Sequence, residues 1–110
     1  MEMHEEQVSG VTALAVKGRL DSTTAPLLGA RLQSVMAQPG GVVVDFANVE
    51  YVSSAGFRVL LMAAKRAEES ASRLVLSGLS AKMRHLFDLG GFLDLFSITA
   101  SREEALKVAS

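Results

Sequence analysis

Ser53 and Ser54 stand together inside the stretch Val42–Leu61, VVVDFANVEYVSSAGFRVLL. The chemistry open to them depends on what surrounds them. The apolar, β-branched run Val42-Val43-Val44, followed by Asp45 and Phe46, predicts a buried strand of a parallel sheet. Asn48 and Glu50 read as a turn that interrupts it. After Ser53-Ser54-Ala55-Gly56, the residues Phe57, Leu60, Leu61, Ala64 and Ala67 recur at spacings of three and four, one face of a helix. The serines therefore fall where a strand has ended and a helix begins. The first backbone N–H groups of a helix lack internal partners and carry the positive end of its dipole. A serine hydroxyl there is either an N-cap, worth about 1 kcal/mol, or the acceptor of a group such as phosphate, whose anionic oxygens those N–H groups stabilise.

Other polar residues belong to the same region. Asp45 is expected at the strand end, facing the serine loop or bonding loop amides. Asp21 lies in a polar loop, Gly18 to Thr24 (GRLDSTT), after an earlier strand. Sites in α/β sheets gather beyond the carboxyl ends of strands. If that strand runs parallel to the central one, Asp21 and Ser54 share an edge. Arg58, one turn into the helix and flanked by apolar positions, should point outwards, free for a partner or simply solvated.

Several chemistries find no support. His4 and His85 stand far apart in the chain, with no second histidine near either, so no metal site is expected. Gly40-Gly41 and Gly90-Gly91 lack the phosphate-cradling patterns, and no cofactor is expected. No acid–base constellation suited to an enzyme is visible. The absence of cysteine removes disulfides, thiolate ligands and a cysteine nucleophile. A formal net charge of −1 argues against non-specific nucleic-acid binding. Met1 to Gln7 is polar and acidic, unlike a secretory signal, and no apolar run approaches the roughly 20 residues of a membrane span. These features lead to the expectation of a cytoplasmic protein without membrane insertion.

The 110 residues suffice for one domain with a core. That core must come from Leu, Val, Ala and Met with five Phe, since Trp is absent. Met3 to Gln7 reads as an edge strand, Ser9-Gly10 as a turn, and Val11 to Lys17 as a second strand. Thr24 is a plausible N-cap with Pro26 in the first turn. The helix that follows carries Leu27, Leu28, Leu32, Val35 and Met36, and stops near Gln38 before Pro39-Gly40-Gly41. The central strand and helix come next, the helix ending around Ser70. Arg73 to Ser77 is another strand, completing a βαβ unit. Ser80 caps a helix bearing Met83, Leu86, Phe87 and Leu89, ended by Gly90-Gly91. Phe96 to Thr99 reads as a last strand, and Ser101 with Glu104 as a capping box before Ala105, Leu106 and Val108.

The run Asp45…Tyr51-Val52-Ser53-Ser54-Ala55-Gly56-Phe57-Arg58-Val59-Leu60-Leu61 resembles the signature of STAS domains, and more narrowly that of bacterial anti-sigma factor antagonists. Gly18-Arg19-Leu20-Asp21 with Thr24-Ala25, and Leu86-Phe87-Asp88-Leu89-Gly90-Gly91-Phe92 before Leu95-Phe96, are similar to that family too. The resemblance covers essentially the whole chain and implies a single STAS-like domain, 1–110. The implied fold is α/β, a mixed, largely parallel sheet packed with about four helices in the order β-β-α-β-α-β-α-β-α. Aligned through Gly56, Ser54 falls on the family's phosphoacceptor, while Ser53 replaces the family Asp and is the alternative acceptor. The resemblance implies a partner-binding surface of Asp21, Ser53, Ser54, Gly56 and Arg58. It also implies a function. The unphosphorylated form would bind a serine-kinase anti-sigma factor and free the sigma factor. The kinase would phosphorylate Ser54, and a PP2C-type phosphatase would reverse this. The alternative is a non-phosphorylated structural subunit of a transporter or larger signalling assembly; a small enzyme is the weakest reading.

Overall fold

The Val42–Val44 run lies at the centre of a five-stranded sheet in the computed structural model, which describes residues 1–70 and 72–110. In chain order the elements are β1 (Glu2–Val8), β2 (Val11–Leu20), α1 (Ala25–Met36), β3 (Val42–Val52), α2 (Ser54–Glu69), β4 (Leu74–Ser77), α3 (Ala81–Leu89), a 3₁₀ turn (Leu93–Leu95), β5 (Ser97–Thr99) and α4 (Arg102–Ala109). Spatial order follows chain order: β1 is antiparallel to β2, and β2, β3, β4 and β5 are mutually parallel. This is the mixed, largely parallel α/β architecture expected from the sequence. Ser9 and Gly10 both take positive φ, 49° and 84°. That geometry lets a two-residue turn follow the twist of β1 and β2.

Both faces of the sheet are covered, which explains why β3 and β4 begin as unbroken apolar runs. On one face Leu14, Val16, Leu20, Val44, Phe46 and Leu76 pack against Leu28 and Leu32 of α1, Leu60 of α2 and Phe87 of α3. On the other, Val11, Val43 and Val75 pack beneath Ala105 and Ala109 of α4.

The central strand corrects the turn expected at Asn48 and Glu50. β3 continues through both residues to Val52. Against β2 its register slips twice: Ala15 faces Asp45 but Lys17 faces Asn48, and Gly18 faces Val49 but Arg19 faces Tyr51. Each slip places an extra residue on β3, as a β-bulge does. Phe46, Val49 and Val52 are all buried at spacings of three, whereas an unbulged strand would bury every second residue. Polar residues between buried ones at that spacing imitate a turn in the sequence. β2 likewise runs on to Leu20, so the loop expected from Gly18 starts only at Asp21.

β4 pairs with β3 only along Val42–Asp45, and β1 reaches β2 only as far as Lys17. Beyond those points Gly18–Leu20 and Val49–Val52 form a two-stranded arm that projects past the rest of the sheet.

Other local readings are met or adjusted. Ser80 caps α3 by accepting from the Met83 N–H at 3.1 Å. The Ser101 hydroxyl oxygen accepts from the Glu104 N–H at 3.2 Å and lies 3.2 Å from the Glu104 carboxylate. Thr24 occupies the N-cap position of α1 without making a side-chain cap, because its hydroxyl turns back to the carbonyl of Arg19. Leu27, Leu86 and Leu89, expected on buried helix faces, are exposed.

Candidate phosphoacceptor and partner-binding site

The arm ends in one hydrogen bond that sets the site. Leu20 and Val52 are register partners, and the Ser53 N–H donates to the Leu20 carbonyl at 2.8 Å. Ser53 is extended (φ −86°, ψ 174°), and α2 starts at Ser54. The two serines differ in what they do at this junction. Ser53 is the N-cap, its hydroxyl accepting from the Gly56 N–H at 3.4 Å, a long bond. Ser54 is the first helical residue and is exposed, and its hydroxyl makes no hydrogen bond among the described residues.

Gly56, expected at the partner surface, is buried beneath the start of α2. A Cβ added there would lie 2.8 Å from Leu20 Cγ and 3.0 Å from Val52 Cγ1. The glycine lets the first turn of α2 sit directly on the arm. Phe57 anchors the same turn from the other side. Its ring centroid is 4.6 Å from that of Phe87 and 5.3 Å from that of Phe92, and Phe87 in turn meets Phe96 at 5.5 Å. Offset and tilted pairs of this kind contribute about 0.5–1.5 kcal/mol beyond burial. The backbone under Ser54 is thus fixed by packing while its side chain faces solvent.

Asp21 directly follows Leu20, so it shares the edge with Ser53 and Ser54. Its Oδ1 accepts from the Thr23 N–H at 3.0 Å and the Thr24 N–H at 3.1 Å. Thr24 Oγ1 accepts from the Asp21 N–H at 2.9 Å and donates to the Arg19 carbonyl at 2.8 Å. The backbone N–H of Thr24 first, then that of Thr23, holds the Asp21 carboxyl below its ordinary range, against a smaller opposing effect of desolvation. Asp21 is therefore ionised and its loop is internally bonded.

Asp45 is not at the strand end facing the serines. It stands within β3 beside Ala15 and Ser77, and its Oδ1 accepts from the Ala47 N–H at 2.9 Å. The seven residue steps to Val52 span roughly 20 Å of extended chain. Gly78, at φ +71°, closes over it: an added Cβ would come within 3.0 Å of Asp45 Oδ1. Arg58 is exposed on α2, as its position predicts.

Sequence reasoning missed one pair at this edge. Arg19 and Tyr51 are register partners on the arm, both exposed, with the guanidinium carbon 4.4 Å from the ring centroid. Only the bulged register of β3 brings them opposite each other, so no local pattern could show it. Among the described residues, no group of three or more His, Cys, Asp or Glu could hold a metal, and no helix is long and apolar enough to cross a membrane.

Comparison with known proteins adds an independent line. The family model described as "Mlab, STAS domain" matches residues 3–97. BtrV of Bordetella bronchiseptica, which carries an anti-sigma factor antagonist name, is 33% identical over 106 residues, covering 96% of this chain and 91% of the relative. An anti-sigma factor antagonist from Mycobacterium paratuberculosis superposes with a TM-score of 0.88 at 24% identity, covering 98% of this chain and 92% of that one. The Bacillus cell fate determinant SpoIIAA, in its phosphorylated form, superposes with a TM-score of 0.76 at 20% identity over 99% of this chain and 100% of its own. At those identities the two structures speak to the fold alone.

Proposed function

The chain belongs to the STAS domain family, among the anti-sigma factor antagonists, and from that membership we propose a binding module switched by phosphorylation of Ser54. Its unphosphorylated form binds a serine-kinase anti-sigma factor and so frees the sigma factor. The kinase transfers the γ-phosphoryl group of ATP to the Ser54 hydroxyl, whose proton leaves, and a PP2C-type phosphatase hydrolyses the ester to restore the binding form. The family acts by binding and not by catalysis, and its members' names favour this reading over an accessory subunit of a transporter. Residues 1–110 are read as one such domain.

The observation that carries the proposal is the division of labour between the serines. Ser53 closes the helix and Ser54 stands free beside it. A phosphate on Ser54 meets open N–H groups of the helix start and needs no refolding. In a partner interface the same phosphate brings nearly two negative charges that must be desolvated. Asp21, Ser53, Ser54 and Arg58 supply the surface, with Gly56 beneath it.

Incubation with a serine-kinase anti-sigma factor and ATP, followed by intact-mass measurement and phosphopeptide mapping, tests the proposal. One phosphoryl group on Ser54 is the expected result. A phosphate only on Ser53, or none on either, overturns it.

A further inference from the structure

We infer that Arg58 is the internal counter-ion of a phosphoryl group on Ser54, so that phosphorylation adds negative charge to this surface and withdraws a positive side chain from it. The inference rests on the reading of Ser54 as the acceptor.

Ser54 and Arg58 lie four residues apart in α2, and both are exposed. Helical residues at that spacing share a face, with Cβ atoms about 5–6 Å apart. Long helical side chains lean toward the N-terminus, which is the direction of Ser54. Among the described residues the Arg58 guanidinium has neither a salt bridge nor a hydrogen-bond acceptor. The acids of its own helix, Glu68 and Glu69, lie at the far end. Arg19, the other cation at this edge, already covers the ring of Tyr51. A guanidinium fork matches two phosphate oxygens at once. A phosphate on Ser54 therefore finds an uncommitted cation one turn along its own helix.

The same guanidinium is open to a partner while Ser54 is unmodified. Phosphorylation thus changes the surface twice in the same sense. It places an anion where the partner docks and occupies the arginine that could have met an acidic group on that partner.

The test uses the full chain with phosphoserine built in at position 54 during synthesis, titrated by ³¹P NMR at low salt. The phosphate's second ionisation, ordinarily near 6, is expected to lie higher in Arg58→Ala than in the wild type by about 0.3 unit, a twofold change in proton affinity. Arg58→Lys should recover most of that difference, and high salt should erase it. Arg19, Asp21 and Glu50 on the neighbouring strands and loop are unchanged in these comparisons, so their effects cancel. Identical low-salt titrations of wild type and Arg58→Ala overturn the inference. No kinase is used, so a failed kinase reaction would count against the switch and leave this pairing standing.

Discussion

The Ser53 N–H bonded to the Leu20 carbonyl at 2.8 Å is the last rung between β2 and β3, and it is also where the helix begins. Because the two strands are parallel and end together at Leu20 and Val52, Asp21 and Ser53 leave the arm side by side, with Ser54 the next residue along. Everything proposed for this edge depends on α2 being held hard against that rung.

Gly56→Ala tests the hold. The new methyl would stand 2.8 Å from Leu20 Cγ, so either the leucine or the helix must move. Overpacking of this kind costs about 1–3 kcal/mol. Urea unfolding should show the loss in the midpoint. A variant as stable as the wild type would mean that the first turn can lift from the arm freely.

The two serines should separate in stability. Ser53→Ala removes a cap whose bond is long, so a loss of about 0.5–1 kcal/mol is expected, at the lower end for caps. Ser54→Ala removes an exposed hydroxyl without a partner and should stay within about 0.5 kcal/mol of wild type. Thermal unfolding of both variants checks this, and the reverse ranking would exchange their roles.

Binding should separate them differently. Ser54→Ala is expected to keep its affinity for the anti-sigma factor and to resist being switched off. Ser54→Glu should weaken binding by a few kcal/mol, on the order of a hundredfold. Titration calorimetry decides, and equal affinities for Ser54→Glu and wild type would count against a charge switch.

Asp21 gives a pH dependence of known sign. Its carboxyl is held below the ordinary value by the Thr24 and Thr23 N–H groups, so the folded state binds its proton less readily than the unfolded chain. The stability this contributes is present above the unfolded pKa, about 3.9, and is lost as pH falls through the lower folded value. Asp21→Asn should therefore melt below wild type at neutral pH, and the gap should close below about pH 4. A gap that persists unchanged in acid would show that the charge is not what bonds the loop.

Much of this was legible because each element announces its own period. The valine run of β3, the three-and-four spacing of α2 and the caps at Ser80 and Ser101 are local signals, and the structure honours them. What failed depends on a neighbour. Phe46, Val49 and Val52 are buried at spacings of three because β3 bulges against β2, and a single strand read alone shows only polar breaks at Asn48 and Glu50. Asp45 reads as the end of its strand for the same reason, although β3 runs on to Val52. Leu27, Leu86 and Leu89 occupy apolar helix positions yet are exposed, which depends on what each helix packs against and not on its own pattern. The Phe57, Phe87, Phe92 and Phe96 cluster gathers three elements, and nothing in any one of them reveals it.

The arm has one further consequence, in its kinetics. Val49–Val52 are laddered on one side only, whereas Val42–Asp45 are laddered on both. Segments with fewer shared hydrogen bonds open to solvent on their own, without unfolding of the whole. Amide hydrogens of Gly18–Leu20 and Val49–Val52 should therefore exchange faster than those of Val42–Val44. Ser54 stands at the seam between that ribbon and a helix pinned by Phe57, and because Leu20 and Val52 are themselves buried against α2, any opening of the ribbon would loosen the first turn that carries it.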